Sequence, residues 1–135
     1  MSPDEKAYAR HRLGIGREAF AEAQSLFEGG HTRGVVSRLY YAVFHAVEAL
    51  LYVDERPQRR HKTLQAVFNG DYANKGLVSP EAKTLFNDLY KARLLADYAE
   101  DYDVTREQLA TWLDATPAFI NEIAALVRAR GVEEA

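Results

Sequence analysis

The chain has 135 residues, which fits one compact domain over residues 1–135 and leaves little room for a second. Hydrophobic residues at 47% against 27% charged give enough apolar surface to offset the entropy of ordering the chain, which excludes a disordered tail. Twenty acidic and seventeen basic residues leave a formal charge of −3, so any contact with nucleic acid has to come from a local patch rather than a global basic excess.

The dominant period is helical. Ser2-Pro3-Asp4-Glu5 is a capping box with proline at the first helical position, and Glu28-Gly29-Gly30 is a stop. Phe20, Ala23 and Phe27 share a face of this first helix, while Gly14 and Gly16 weaken its middle, each by about 1 kcal/mol relative to alanine. Thr32 is placed to cap a second helix, in which Val36, Leu39, Val43, Val47 and Leu50 recur every three or four residues. It should stop near Val53. A short helix from Lys62 to Asn69, ended by Gly70, and a loop from Asp71 to Val78 come next. Ser79-Pro80-Glu81 caps a third long helix with Ala82, Leu85, Leu89, Ala92 and Ala96 on its buried face. Thr105 with Gln108 forms a capping box for a fourth, in which Pro117 should cause a kink or a split because it cannot donate to residue 113. The expected fold is all-α: an up-and-down four-helix bundle with an additional short helix, its last helix kinked at Pro117.

The absence of cysteine removes disulfides, thiol catalysis and thiolate metal sites, and suits a reducing cytoplasm. The apolar run from Leu39 to Val53 is interrupted by His45 and Glu48 and falls short of the about 20 residues that span a bilayer. Met1-Ser-Pro-Asp-Glu lacks the regions of a signal peptide. A cytoplasmic location without membrane contact is the expectation.

Three constellations carry possible chemistry. At about 100° per residue, Arg38, Tyr41 and His45 fall at roughly 0°, 300° and 340°, lining one side of the second helix. They read either as a core-edge stripe or as a cation and an imidazole facing a phosphate, the arginine gripping it and the histidine exchanging a proton. On the third long helix Phe86, Tyr90, Arg93 and Asp97 form a stripe apart from the aliphatic one, and a two-faced helix calls for a second partner. Arg93 and Asp97, four apart, can also simply pair with each other. Tyr98 and an acidic run to Asp103 follow. The basic run Arg56, Arg59, Arg60, His61 and Lys62 is either a solvated loop, neutralised by acidic run 97–103, or an RNA or phosphate platform. No HExxH, Walker A, nucleophile-elbow or complete dinucleotide motif is present, so neither a metal nor a cofactor is expected.

Gly30-His31, then Ser-Arg-Leu-Tyr-Tyr-Ala-Val-Phe-His-Ala, His61-Lys62, Gly76-Leu77 and Leu89-Tyr-Lys-Ala-Arg93-Leu-Leu-Ala-Asp97-Tyr98 resemble the HEPN superfamily, in particular its short stand-alone bacterial and archaeal members, over roughly residues 5–128. The resemblance implies a helical bundle, commonly a homodimer, often encoded beside a minimal nucleotidyltransferase as a toxin–antitoxin or defence pair. It also implies a possible metal-independent ribonuclease using Arg-x(4–6)-His, with a cleft where two copies of the motif meet. The motif is usually on a later helix. There Arg93 is present and Tyr98 stands in the histidine's place, whereas Arg38-x6-His45 has the spacing on the second helix. Arg38, His45 and Arg93 are therefore the catalytic candidates, and Tyr41, Asp97, Tyr98, Arg59, Arg60, His61 and Lys62 the binding candidates. Tyr41 and Tyr98 are also the tyrosines nearest the motifs for modification by such a partner. Two alternatives stay open: a non-catalytic dimer binding nucleotide, RNA or a nucleotidyltransferase partner, and a structural role in which Arg38 and His45 reach Asp97 and Glu100.

Overall fold

A computed structural model describes residues 1–99 and 103–134. It contains α1 (Pro3–Glu28), α2 (Thr32–Val53), α3 (His61–Phe68), a π-helical turn (Asn69–Ala73), α4 (Pro80–Tyr98) and α5 (Arg106–Ala129). Among the described residues the fold is all-α, with four long helices and one short one. α2 is its axis, packing against α1, α4 and α5, and its apolar positions from Val35 to Leu51 are buried.

Local chemistry accounts for most boundaries. Ser2 and Glu5 close the capping box of α1 reciprocally, at 3.1 and 2.9 Å. Gly30 then takes φ +79°, a left-handed conformation that glycine enters without a Cβ penalty, and the chain reverses into α2. The two helices come very close at Gly16, where a Cβ would stand 2.8 Å from the carbonyl oxygen of Ala42. Ser79 caps α4 by accepting from the Ala82 N–H at 3.0 Å, and its own N–H and hydroxyl donate to Glu122 of α5 at 2.6 and 2.7 Å.

Two expectations change. Thr32 is the first residue of α2 rather than its cap; His31 holds the cap position without a side-chain bond. Gly70 does not end the short helix, because the chain continues through the π turn. That turn is held by an amide ladder: Gln65 and Asn69 donate to Asn87 Oδ1 of α4 at 2.8 and 2.9 Å, and Asn87 donates back to Asn69 Oδ1 at 2.8 Å. Its Tyr72 is buried and donates to Asp54 at 2.5 Å; burial, then this carboxylate, pushes the phenol up to about 12. Of the two outcomes expected at Pro117, the split does not occur: α5 runs through it as one helix.

Arg130 also bonds Asp54, and Arg17 holds Glu134 through two hydrogen bonds of 2.8 and 2.6 Å. The residues after α5 are thereby fastened back onto α1 and the end of α2.

Candidate functional site

Tyr40 and Tyr41 leave α2 in different directions, as neighbours about 100° apart must. Tyr40 is fully buried in an aromatic layer with Phe44 and Phe86, while Tyr41 is half-buried. Tyr41 is the hub of the site. Arg93 Nη2 of α4 donates to its hydroxyl at 3.1 Å, with the guanidinium 5.2 Å from its ring centre. The Arg38 guanidinium approaches the same ring at 5.4 Å. His45 stacks on it at 5.8 Å, and His61 meets it edge-on at 5.9 Å.

The two histidines are held differently. His45 Nδ1 lies 2.7 Å from Glu48 Oε1, an oxygen that Arg12 Nη1 of α1 approaches at 3.7 Å. A carboxylate only accepts, so Nδ1 carries the hydrogen, and in its neutral form the ring keeps a lone pair on Nε2. His61, the first residue of α3, stacks on Phe44 at 4.3 Å and places Nδ1 2.7 Å from the Tyr40 hydroxyl. Burial first, and the nearby Arg93 charge second, hold its imidazole below the ordinary value. Burial also pushes the Tyr40 phenol up, which keeps it protonated.

The predicted stripe is present: Arg38, Tyr41 and His45 line one groove with Ile15, Glu18 and Glu22 of α1. The proposed cross-ties differ from expectation. Arg38 faces Glu22 at 3.6 Å rather than Asp97, because α1 and not α4 runs along that side of α2. Asp97 lies 3.6 Å from Arg93 instead, and Glu100, Asp101 and Tyr102 lie outside the described residues. The second stripe of α4 does not await an outside partner. Phe86 is buried against Phe68 and Phe119, and Tyr90 packs on Tyr40. The exposed large apolar residues of α4 are Leu94, Leu95 and Tyr98, and Ala96, expected on the buried face, is exposed with them because the burial of α4 ends at Ala92. The basic run divides: Arg56 pairs with Asp71 at 3.0 Å, His61 enters the site, and Arg59, Arg60 and Lys62 remain exposed.

Tyr40, Glu48 and Arg12 were not identified from the sequence as site residues. Glu48 had a local signal, three residues beyond His45 on one helix. Tyr40 and His61 are separated by 21 positions, and no helical period links them. Among the described residues, no three His, Asp or Glu side chains group to hold a metal ion, and no helix is long and apolar enough to cross a membrane.

Known proteins are similar to this chain in sequence. A protein of Thermotoga maritima named "UPF0332 protein" is 28% identical over 111 residues, covering 82% of this chain and 84% of its own. Two proteins of Methanocaldococcus jannaschii are also similar. "Putative toxin MJ0605" is 28% identical over 109 residues, 81% of each chain. "Putative toxin MJ0142" is 25% identical over 100 residues, 74% of this chain and 68% of its own. The sequence profile of the HEPN domain matches residues 9–126, from α1 into the last turns of α5, and so takes in every element that builds the Tyr41 site. On that match the chain belongs to the HEPN domain family.

Proposed function

We propose that this HEPN protein is the RNA-acting, toxin-like member of a two-protein system and cleaves RNA without a metal ion. One observation carries the proposal: Arg93 of α4 and His45 of α2 both contact Tyr41. The later helix has an arginine but no histidine at the expected spacing, and His45 supplies the imidazole from the neighbouring helix. A guanidinium carries five N–H donors, so Arg93 can serve Tyr41 and still grip a phosphate. His45, oriented by Glu48, takes the proton of an RNA 2′-hydroxyl at Nε2. The 2′-oxygen then forms a bond to phosphorus while the bond from phosphorus to the 5′-oxygen breaks, and that oxygen leaves with a proton from water. The nucleophile is internal to the substrate, so the reaction requires no metal-bound water, and a 2′,3′-cyclic phosphate is the product. The expected partners are a second copy of the chain and a minimal nucleotidyltransferase. The exposed Leu94, Leu95 and Tyr98, on the same helix as Arg93, support a protein contact near the site.

A second reading, a non-catalytic module binding nucleotide, RNA or a partner, draws support from Glu18 and Glu22. These carboxylates line the groove beside Arg38 and His45 and disfavour an anion there. The test is cleavage of an end-labelled structured RNA by the purified protein in EDTA, with His45→Ala alongside. The catalytic reading predicts cyclic-phosphate ends and a loss of about 100-fold or more in the variant. Equal cleavage by both proteins removes His45 from the chemistry, and no cleavage by either favours the second reading.

A further inference from the structure

We infer that His61 presents its Nε2–H as a fixed hydrogen-bond donor beside Arg93, and that the two form a clamp for the non-bridging oxygens of a phosphodiester. The argument begins at Tyr40. Its side chain is fully buried, and among the described residues its hydroxyl has one hydrogen-bond partner, His61 Nδ1 at 2.7 Å. A buried hydroxyl hydrogen left without an acceptor is costly. A phenol is also a better donor than a neutral imidazole, and an imidazole nitrogen a better acceptor than a phenol oxygen. Tyr40 therefore donates to Nδ1, which leaves the ring hydrogen of His61 on Nε2. The opposite tautomer would direct two hydrogens at each other or leave the phenol unpaired.

The ring is fixed as well as its tautomer. His61 stacks on Phe44 at 4.3 Å with 21° between the planes, and against Tyr40 at 5.5 Å. Arg93 also lies over Tyr40, 5.3 Å from its ring centre, and over Tyr41 at 5.2 Å. Both donors are thus mounted on α2 aromatics rather than on loops. Arg93 of α4 and His45 and Glu48 of α2 are the charged or titratable groups that act on His61. The balance, together with burial, keeps the ring neutral, so it acts as a donor and not as a second cation. Preorganised donors of this kind stabilise charge that develops on phosphoryl oxygens. His45 has the opposite tautomer, with Nδ1–H on Glu48 and a lone pair on Nε2, so the two histidines have complementary roles: proton acceptor and anion donor. Arg59, Arg60 and Lys62, exposed next to His61 in the chain, can meet neighbouring phosphates of a strand held in this clamp.

The inference rests on the phosphodiester reading above, but it predicts binding rather than turnover. It is tested with a 2′-O-methyl oligoribonucleotide, which binds as RNA does and cannot be cleaved. Imidazole nitrogen NMR on the wild-type protein should show His61 with Nδ1 as acceptor and Nε2 protonated, and the Nε2 resonance should move as the oligonucleotide is added. His61→Ala should weaken binding by about tenfold, while His61→Gln, which retains an amide donor, should recover most of that loss. A protonated Nδ1 on neutral His61, an Nε2 resonance that ignores the oligonucleotide, or unchanged affinity in His61→Ala would overturn the clamp. The two readings fail separately. RNA cleavage with an indifferent His61 removes the clamp alone, and a responsive His61 without RNA cleavage removes the catalytic reading alone.

Discussion

His61 and His45 are both imidazoles packed against Phe44, yet their environments assign them different work. A carboxylate holds one and a phenol the other, both at Nδ1, and the identity of the partner decides whether Nε2 carries the hydrogen or a lone pair. The same environment gives His61 a thermodynamic signature. Its native pKa lies below the ordinary value of 6.5, through burial and then the Arg93 charge. Below about pH 6.5 the unfolded chain therefore takes up a proton that the native site resists, and stability declines as pH falls from there toward the lower native pKa. Replacing His61 with Gln removes this contribution, so denaturant unfolding at about pH 7.5 and about pH 5.5 should show a smaller loss of stability in the variant than in the wild type. An identical loss in both proteins would mean that His61 titrates alike in the native and unfolded chains. The chemistry of His45 could be read from its local spacing to Glu48. That of His61 could not, because Tyr40 reaches it only when α3 docks on α2.

Helix pairing explains why two glycines that look equivalent in the sequence are not. Both weaken α1 as an isolated helix, but Gly14 faces open space while a Cβ on Gly16 would press on the Ala42 backbone at 2.8 Å. Gly14→Ala should accordingly stabilise the protein by about 0.5–1 kcal/mol. Gly16→Ala should destabilise it by about 1–3 kcal/mol, since a backbone atom cannot move aside as a side chain can. Equilibrium unfolding of the two variants separates the cases; a shift of the same sign in both would contradict the close α1–α2 contact. The long helices were readable because caps and periodicity agree in them, as in Ser2–Glu5 and Ser79–Pro80. The short helix passes the expected stop at Gly70 for a physical reason. Glycine there is an ordinary stop signal, and the ladder joining Asn69 to Asn87 extends the helical chain past it through tertiary contacts. Pro117 likewise removes one backbone bond without ending α5, whose buried face from Leu109 to Val127 keeps the helix on the core.

Across the molecule, the site is a product of convergence. α1 contributes Arg12, α2 the two tyrosines with His45 and Glu48, α3 His61, and α4 Arg93. Each segment by itself supports an unremarkable explanation: a solvated basic run, a helix-surface ion pair, a histidine at the edge of a core. Residue spacing could group Arg38 with His45 and Arg93 with Asp97, since those pairs lie on single helices. It could not show that Arg93 and His45 share Tyr41, because that contact depends on how α4 lies against α2. That shared tyrosine is the central claim, and a double-mutant cycle on the cleavage rate tests it most directly. Single-turnover cleavage of a labelled RNA in EDTA is measured for the wild type, Arg93→Ala, His45→Ala and the double variant. If the two residues serve one site, each single substitution lowers the rate by about 100-fold or more, and the double variant falls little below the slower single. Multiplying losses, or either single variant cleaving at the wild-type rate, would contradict a common site at Tyr41.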